Sequence, residues 1–540
     1  MVKEKIKTIL LILLIIGIIG GIWFLGGSSE AENDSVVLDD VSLDFISDFE
    51  DYLDSLDDNV DMGDFKNVLA AQLVDIKKSY GSGNSIDNMS QQLLEELANS
   101  NAMSPEDLRK NLKTIINEMR TNAAAHYDPD KIIPPTNEVK IRSTTVCDTY
   151  GSGSRYCLDG STKFLNGSIY ISDSESTKWV IALHGNLGSG PSIFVDVGKD
   201  WYDRGYNVLA PDLRGYANSS GDAAFGYLDS LDIYDWIKYL NDNYGVSSIT
   251  LHGVSVGAAT ALQVATNPDF SKTARFNYHV NNYVLDSGYT SFVEFVRGLL
   301  MSGNTTMLTV VFEESNINMD DFKSDMADVL YETGFNVDPS MLDDLFNGTI
   351  SYSDFDNMLM ESNEQIYNDA IQLFQNYYSL NCQGLTLEQC AAKFTGNRVN
   401  MRKNVVSSNG AKKRLADADM GSLLTDDVLK ETILRNPSFG FTVDNFDTYQ
   451  DAFSGDRNFD VTDKILIIHS QSDTVVNPAN SDLIERKAQA VNTISNYYWR
   501  VKSQPHAFIL LGLEKEKYQK LVNKFIDCVE NNSKCSAVKA

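Results

Sequence analysis

Apolar positions recur along this chain with two different periods, and the change of period divides it. Among 14 acidic residues and no basic one between positions 30 and 64, Val41, Phe45, Phe49, Tyr52 and Leu56 return at helical spacing. That pattern predicts an acidic amphipathic helix with one face buried. Helical patterns over 89–97 and 105–119 continue to about Tyr127, where Asp128-Pro129-Asp130 and Pro134-Pro135 interrupt them. Residues 30–138 therefore read as an acidic helical module, a stalk or a support packed on the remainder of the chain. From about Val139 short apolar runs alternate with helical stretches, the signature of a mostly parallel sheet covered by helices on both faces. Residues 168–172, 179–183, 207–210, 249–252, 283–285, 465–469 and 497–501 read as strands. Between Ser291 and about Gly455 an acidic, helix-rich stretch interrupts the alternation, with helical patterns over 341–346, 363–378 and 424–434. An excursion of that length, returning to finish the sheet, predicts an inserted unit above it. The expected division is thus a core over 139–298, a helical cap or lid over 299–455 and the rest of the core over 456–540.

The N-terminus and the cysteines suggest a compartment. Lys3, Lys5 and Lys7 precede an apolar run over 9–25 broken only by Gly17, Gly20 and Gly21, and acid lies beyond it. The run approaches the ~20 residues needed to span a bilayer. Residues 1–29 are therefore expected to form a single-pass anchor with its N-terminus inside and the body outside. Cleavage near Ser29-Glu30-Ala31 as a signal peptide is the alternative, and it would release a secreted body. Six cysteines fall into close couples, Cys147 with Cys157, Cys382 with Cys390 and Cys528 with Cys535. Such neighbours point to three short-range disulfides in an oxidising compartment. None of the couples has zinc-site spacing or a histidine close by in sequence, so no metal is expected. At 540 residues, 43% of them apolar and 10% aromatic, the chain is globular and exceeds one core. Its 45 basic residues against 75 acidic ones, net −30, argue against nucleic acid or an anionic surface held by charge.

Leu251-His252-Gly253-Val254-Ser255-Val256-Gly257-Ala258-Ala259 sets G-x-S-x-G between the short apolar run of Ile249, Thr250 and Leu251 and the helix-forming Ala258, Ala259, Ala261, Leu262 and Val264. This is the context of a nucleophile elbow, in which a sharp strand-to-helix turn projects the serine hydroxyl off the sheet. A serine needs a base, and the base needs an orienting group. Of six histidines, His126 lies in the N-terminal helices, His184 and His252 end core strands, His279 sits in a polar connection, and His469 belongs to an apolar run where a packed, hydrogen-bonded role suits it. His506 remains, on a loop between the last strand and the amphipathic helix of Tyr518, Val522, Phe525 and Val529. Chain order favours Asp473, just beyond the penultimate strand, as the acid, with Asp286 in Leu285-Asp286-Ser287-Gly288-Tyr289 as its rival. For either carboxylate the competing role is a loop cap. His184-Gly185-Asn186-Leu187-Gly188 comes directly after a strand and offers the amides of Asn186 and Val256 as oxyanion donors.

Over 139–298 and again over 462–530 the chain resembles the α/β-hydrolases, in their serine aminopeptidase and esterase-like branch. The residues that carry the resemblance are His184-Gly185, Asp212-Leu213-Arg214-Gly215, the Ser255 elbow, Asp286-Ser287 followed by Tyr289-Thr290-Ser291, Asp473 and His506. It implies Ser255 as nucleophile, His506 as base, Asp473 as orienting acid and the Asn186 and Val256 amides as the oxyanion hole. Ser470 stands where the family usually has glycine, and the insertion exceeds a typical lid, so substrate class does not carry over. The expectation is a membrane-anchored, extracytoplasmic serine hydrolase that cleaves carboxylic esters through an acyl-enzyme, with no metal or organic cofactor. A peptidase whose insertion carboxylates bind a substrate α-amine is the first alternative. A non-catalytic binding protein on a hydrolase scaffold is the second.

Overall fold

In the computed structural model, apolar side chains alternate along each central strand between two helical layers. The strands are β1 (Asn137–Arg142), β2 (Cys147–Tyr150), β3 (Ser154–Cys157), β4 (Phe164–Tyr170), β5 (Lys178–Leu183), β6 (Asn207–Pro211), β7 (Ser248–Val254), β8 (Val280–Asp286), β9 (Lys464–Ser470) and β10 (Ser495–Val501). Eight of them form one sheet in the order β1-β4-β6-β5-β7-β8-β9-β10. The β1–β4 and β4–β6 pairs are antiparallel and the rest parallel. Along β5, Trp179, Ile181 and Leu183 enter one core while Val180 and Ala182 enter the other, the two-residue period of a strand buried on both faces. Helix α5 (Tyr227–Tyr244) and helix α6 (Val256–Thr266) cover the first face, through Trp236, Ile237 and Leu262. The C-terminal helix, Lys515–Glu530, covers the second through Tyr518, Val522 and Phe525.

The structure describes residues 40–535 except 57–60, 81–83, 100–102, 127–132, 145–146, 151–153, 158–162, 268–279, 333–336, 363–425, 437–438, 442–445, 492–494, 503–505, 507–514 and 533–534. The expected anchor over 1–29, the helical pattern over 363–378 and the couple Cys382 and Cys390 lie outside them. Among the described residues no helix is long and apolar enough to cross a membrane. Cys528 and Cys535 are disulfide-bonded, and Cys147 lies opposite Cys157 in the β2–β3 hairpin register.

Four N-terminal helices, α1 (Asp40–Ser55), α2 (Met62–Tyr80), α3 (Asn84–Asn99) and α4 (Pro105–His126), share one apolar core with the sheet and the insertion. In α1 the buried stripe is Phe45, Ile46, Phe49 and Leu53. Val41, expected on that stripe, is 49% exposed, because the packed face turns away from it in the first helical turn. The insertion begins with α7 (Phe292–Ser302), α8 (Thr305–Glu314), α9 (Met319–Glu332), α10 (Pro339–Phe346) and α11 (Tyr352–Ser362), and Asp426–Leu434 comes next as α12. Its root is closed: the Phe292 amide donates to the Gln450 carbonyl at 3.0 Å and the Ala452 amide to the Thr290 carbonyl at 2.7 Å. Stacked Tyr289 and Phe295, with ring centroids 4.4 Å apart, and Phe292 against Phe439 at 4.5 Å pack that root. Helix α2 lies against α8, with the Lys78 ammonium on the Glu313 carbonyl at 2.8 Å and the Thr305 hydroxyl on the Asn67 side chain at 3.2 Å.

Two differences from the expected strands are local. The strand expected over 168–172 runs instead from Phe164 to Tyr170, and β1 is an edge strand whose alternation of Val139 and Ile141 is too short to stand out.

Candidate active site

The parallel strands bring Leu183, Val254, Asp286 and Ile468 into neighbouring registers, so the turns at the ends of β5, β7, β8 and β9 emerge together. Ser255 stands between β7 and α6 at φ 54 and ψ −117, outside the regions an L-residue ordinarily occupies. Glycine on either side makes the turn possible. A Cβ on Gly253 would lie 2.2 Å from the Gly257 carbonyl oxygen, and one on Gly257 would lie 2.2 Å from the Leu183 oxygen. The Ser255 amide is tied down by the Asp286 carbonyl at 2.8 Å. Its hydroxyl is 2.7 Å from His506 Nε2, and His506 Nδ1 is 2.7 Å from Asp473 Oδ2.

Asp473 is buried and fully engaged. Its Oδ1 accepts the amides of Val475 at 2.9 Å and Val476 at 2.8 Å, and its Oδ2 faces His469 Nε2 at 3.0 Å. Burial opposes its ionisation, but the neighbouring His506 and the hydrogen bonds from His469 and His506 outweigh burial and hold the carboxyl well below the usual carboxylate range. His469 Nδ1 meets the Ser481 hydroxyl at 2.6 Å, so the ring bridges the acid to the next helix. Asp286 meets the elbow through its backbone carbonyl, while its carboxyl accepts the Ser287 hydroxyl at 2.9 Å. Burial pushes that carboxyl up to about 6.

The loop after β5 passes beside the serine: a Cβ on Gly185 would be 3.2 Å from Ser255 Cβ. His184 holds its base. Nε2 accepts the Leu213 amide at 3.0 Å, which leaves Nδ1 to donate to the Gly185 carbonyl at 2.7 Å. Burial lowers this imidazole to about 4, so the ring stays neutral. Asp212 accepts the Gly190 amide at 2.8 Å, so with the Leu213 amide the Asp-Leu-Arg-Gly motif clamps this loop, while its Arg214 pairs with buried Asp232 of α5 at 2.7 Å. Among the described residues, the Asn186 and Val256 amides donate to no protein acceptor.

Three contacts on or beside the loop had no local sequence signal. The Leu187 amide donates to Glu314 Oε1 at 3.0 Å, the Tyr216 hydroxyl lies 2.8 Å from Glu314 Oε2, and Ser189 donates to Asp87, which pairs with Lys77 at 2.9 Å. Neither carboxylate carries a local sequence pattern that marks it as buried. His252, set apart as a strand-end histidine, bridges the Trp201 indole at 3.0 Å to the Tyr518 hydroxyl at 2.9 Å beneath the sheet and is not part of the site.

The α/β-hydrolase fold family matches the chain over residues 178–513, more than half its length, and the chain belongs to that family. The match is to the superfamily as a whole and does not single out the serine aminopeptidase branch. Among solved structures, an esterase of Pyrococcus furiosus is similar at 15% identity and TM-score 0.34, over 74% of this chain and 95% of that one. A thermophilic esterase of Thermogutta terrifontis is similar at 11% identity and TM-score 0.32, over 73% and 99% of the two chains. An esterase of Exiguobacterium antarcticum is similar at 12% identity and TM-score 0.31, over 68% and 97%. No functionally curated protein matches the chain.

Proposed function

We propose that the protein is a serine hydrolase that cleaves carboxylic esters through an acyl-enzyme, with Ser255 as nucleophile, His506 as general base and acid, and Asp473 as the orienting carboxylate. One observation carries the reading: Ser255 Oγ, His506 and Asp473 are joined by two successive contacts of 2.7 Å. As Oγ bonds to the ester carbon, His506 Nε2 takes its proton and the carbonyl electron pair moves to oxygen, where the Asn186 and Val256 amides would receive it. Collapse breaks the bond to the alkoxide, which leaves with the proton from His506. Water then repeats the sequence on the acyl-serine and returns the carboxylic acid. Asp473 remains an anion throughout and holds Nδ1–H.

The insertion over 299–455 is proposed to cover the site as a lid; the reach of Glu314 to Leu187 supports this. Residues 1–29 are proposed to hold the body outside a membrane, on the strength of their apolar run and the cysteine couples. The peptidase alternative needs an insertion carboxylate that can take an amine, a role Glu314 does not offer because it already accepts from Leu187 and Tyr216. The test is hydrolysis of p-nitrophenyl esters of graded length beside aminoacyl amides, with fluorophosphonate labelling of the chain and of Ser255→Ala. The variant should lose turnover by up to about 10⁶-fold and lose labelling altogether. A variant labelled at the parent's rate would overturn the assignment.

A further inference from the structure

The loop that presents Asn186 is held from outside the sheet. Leu187 adopts φ 56, a left-handed conformation that a leucine keeps only where its surroundings enforce it. What faces its amide is Glu314, 6% exposed at the end of α8. The position of Glu314 is itself set, since its carbonyl accepts the Ala223 amide at 3.2 Å and the next residue, Ser315, donates to the Ala223 carbonyl at 2.9 Å. The Tyr216 hydroxyl stands between Glu314 Oε2 at 2.8 Å and Asn186 Oδ1 at 3.3 Å.

We propose that Glu314 is a positioning residue for the oxyanion loop, acting directly on Leu187 and through Tyr216 on Asn186. The inference rests on the ester-hydrolase reading above and deepens it. Tyr216 has one proton to give. An ionised Glu314 accepts a hydrogen bond from that hydroxyl and another from the Leu187 amide, two charge-assisted bonds that fix the loop. A protonated Glu314 instead donates to the Tyr216 oxygen, which turns the hydroxyl to Asn186 Oδ1 and weakens the hold on Leu187. Burial pushes Glu314 up to about 7 against the bonds from Tyr216 and Leu187, so the exchange falls in the working range of a serine hydrolase. The groups around it are Lys77 and Lys78 of α2, Asp87 of α3 paired with Lys77, neutral His184 in the loop, and Asp229 at the start of α5, which acts on Tyr216. The ionised form is the productive one, so turnover should rise as Glu314 loses its proton.

Hydrogen exchange across 184–190 in the full chain and Glu314→Gln, together with kcat and KM for p-nitrophenyl acetate across pH, tests this. Glu314→Gln should speed amide exchange of the loop by roughly tenfold to a hundredfold. Its kcat should fall by roughly tenfold or more while KM stays within about twofold, as for a donor that acts in the transition state. The part of the acid limb of the rate profile that Glu314 contributes in the parent should be absent in the variant. Unchanged exchange and an unchanged limb in an active Glu314→Gln protein would overturn the proposal and leave the ester reading intact. Faster loop exchange in a chain that hydrolyses no ester would do the reverse. If Glu314→Gln does not fold, Tyr216→Phe decides: it removes the hydrogen bond that favours ionised Glu314, so loop exchange should quicken and kcat fall, and parent-like exchange and kcat would overturn the role.

Discussion

Asp473→Asn tests the carboxylate that chain order favours against its rival Asp286, and the structure fixes how it should act. An asparagine can present its oxygen to only one side. The Val475 and Val476 amides, at 2.9 and 2.8 Å from Oδ1, both donate, so the new carbonyl oxygen must stay there. The NH₂ is then forced to the Oδ2 position, 2.7 Å from His506 Nδ1. Two N–H groups cannot face each other, so His506 shifts its proton to Nε2 and presents that N–H, not a lone pair, to Ser255. A base in the wrong tautomer costs about 10⁴-fold in turnover. His469 Nε2, 3.0 Å from the same oxygen, keeps the Val476 carbonyl at 3.0 Å as an acceptor for its proton, so the loss falls mainly on rate. Asp286→Asn meets no such constraint, because its carboxyl accepts from Ser287 and its carbonyl, which holds Ser255, is unchanged. Its effect should stay within about one order of magnitude, through the altered field at His506. Burst titration with p-nitrophenyl acetate would count competent sites and steady-state rates would give kcat, with thermal melting to show that both variants fold. Equal losses, or a larger one for Asp286→Asn at equal melting temperature, would refute the reasoning and move the orienting role.

The remaining expectations concern the framework. Lys77→Met leaves Asp87 buried without its cation and should cost about 3–5 kcal/mol in urea unfolding, whereas Lys77→Met with Asp87→Leu should recover most of it; an unperturbed single variant would show that the pair is solvated. Gly257→Ala drives a methyl to 2.2 Å from the Leu183 oxygen and should lower stability by at least roughly 3 kcal/mol, and a melting curve like the parent's would contradict the close approach. Non-reducing peptide mapping should find Cys147 joined to Cys157 and Cys382 to Cys390 as well as Cys528 to Cys535; free thiols or crossed pairs would remove the case for an oxidising compartment.

The elbow and the parallel strands were legible because each is a local pattern. Gly253 and Gly257 are needed where two backbones nearly touch, and β7 and β9 are buried almost throughout, with mostly apolar residues, because both faces are covered. The choice between Asp473 and Asp286 was not local. Each lies at a strand end, and only the packing shows that one offers His506 its carboxylate and the other offers Ser255 its carbonyl. His469 has the pattern of a packed histidine in a strand, and it is packed, yet its bond to Asp473 depends on a loop that folds back by four residues. Glu314 and Asp87 could not be found at all. In a chain with 75 acidic residues, a carboxylate's burial is decided by which helix lies over it, and no spacing records that.

Those two carboxylates also change what the insertion means. By its sequence alone, it is a lid whose removal would alter substrate choice more than chemistry, since the elbow, base and acid all lie in the core. The loop after β5 contradicts that separation. It is pinned by Asp212 from the core, by Glu314 from the insertion and by Asp87 from the N-terminal helices, which are brought together only in the folded chain. The closed root at Thr290 and Ala452 would let the insertion be cut out with little strain in the sheet, but the cut would remove the acceptor for Leu187 and uncover the face of α2 that packs on α8. A loop that loses one of three anchors while holding a leucine at φ 56 relaxes toward an ordinary conformation and carries Asn186 with it. The insertion and the N-terminal helices are therefore parts of the proposed oxyanion site as much as coverings of it, and chemistry should fail with them before specificity does.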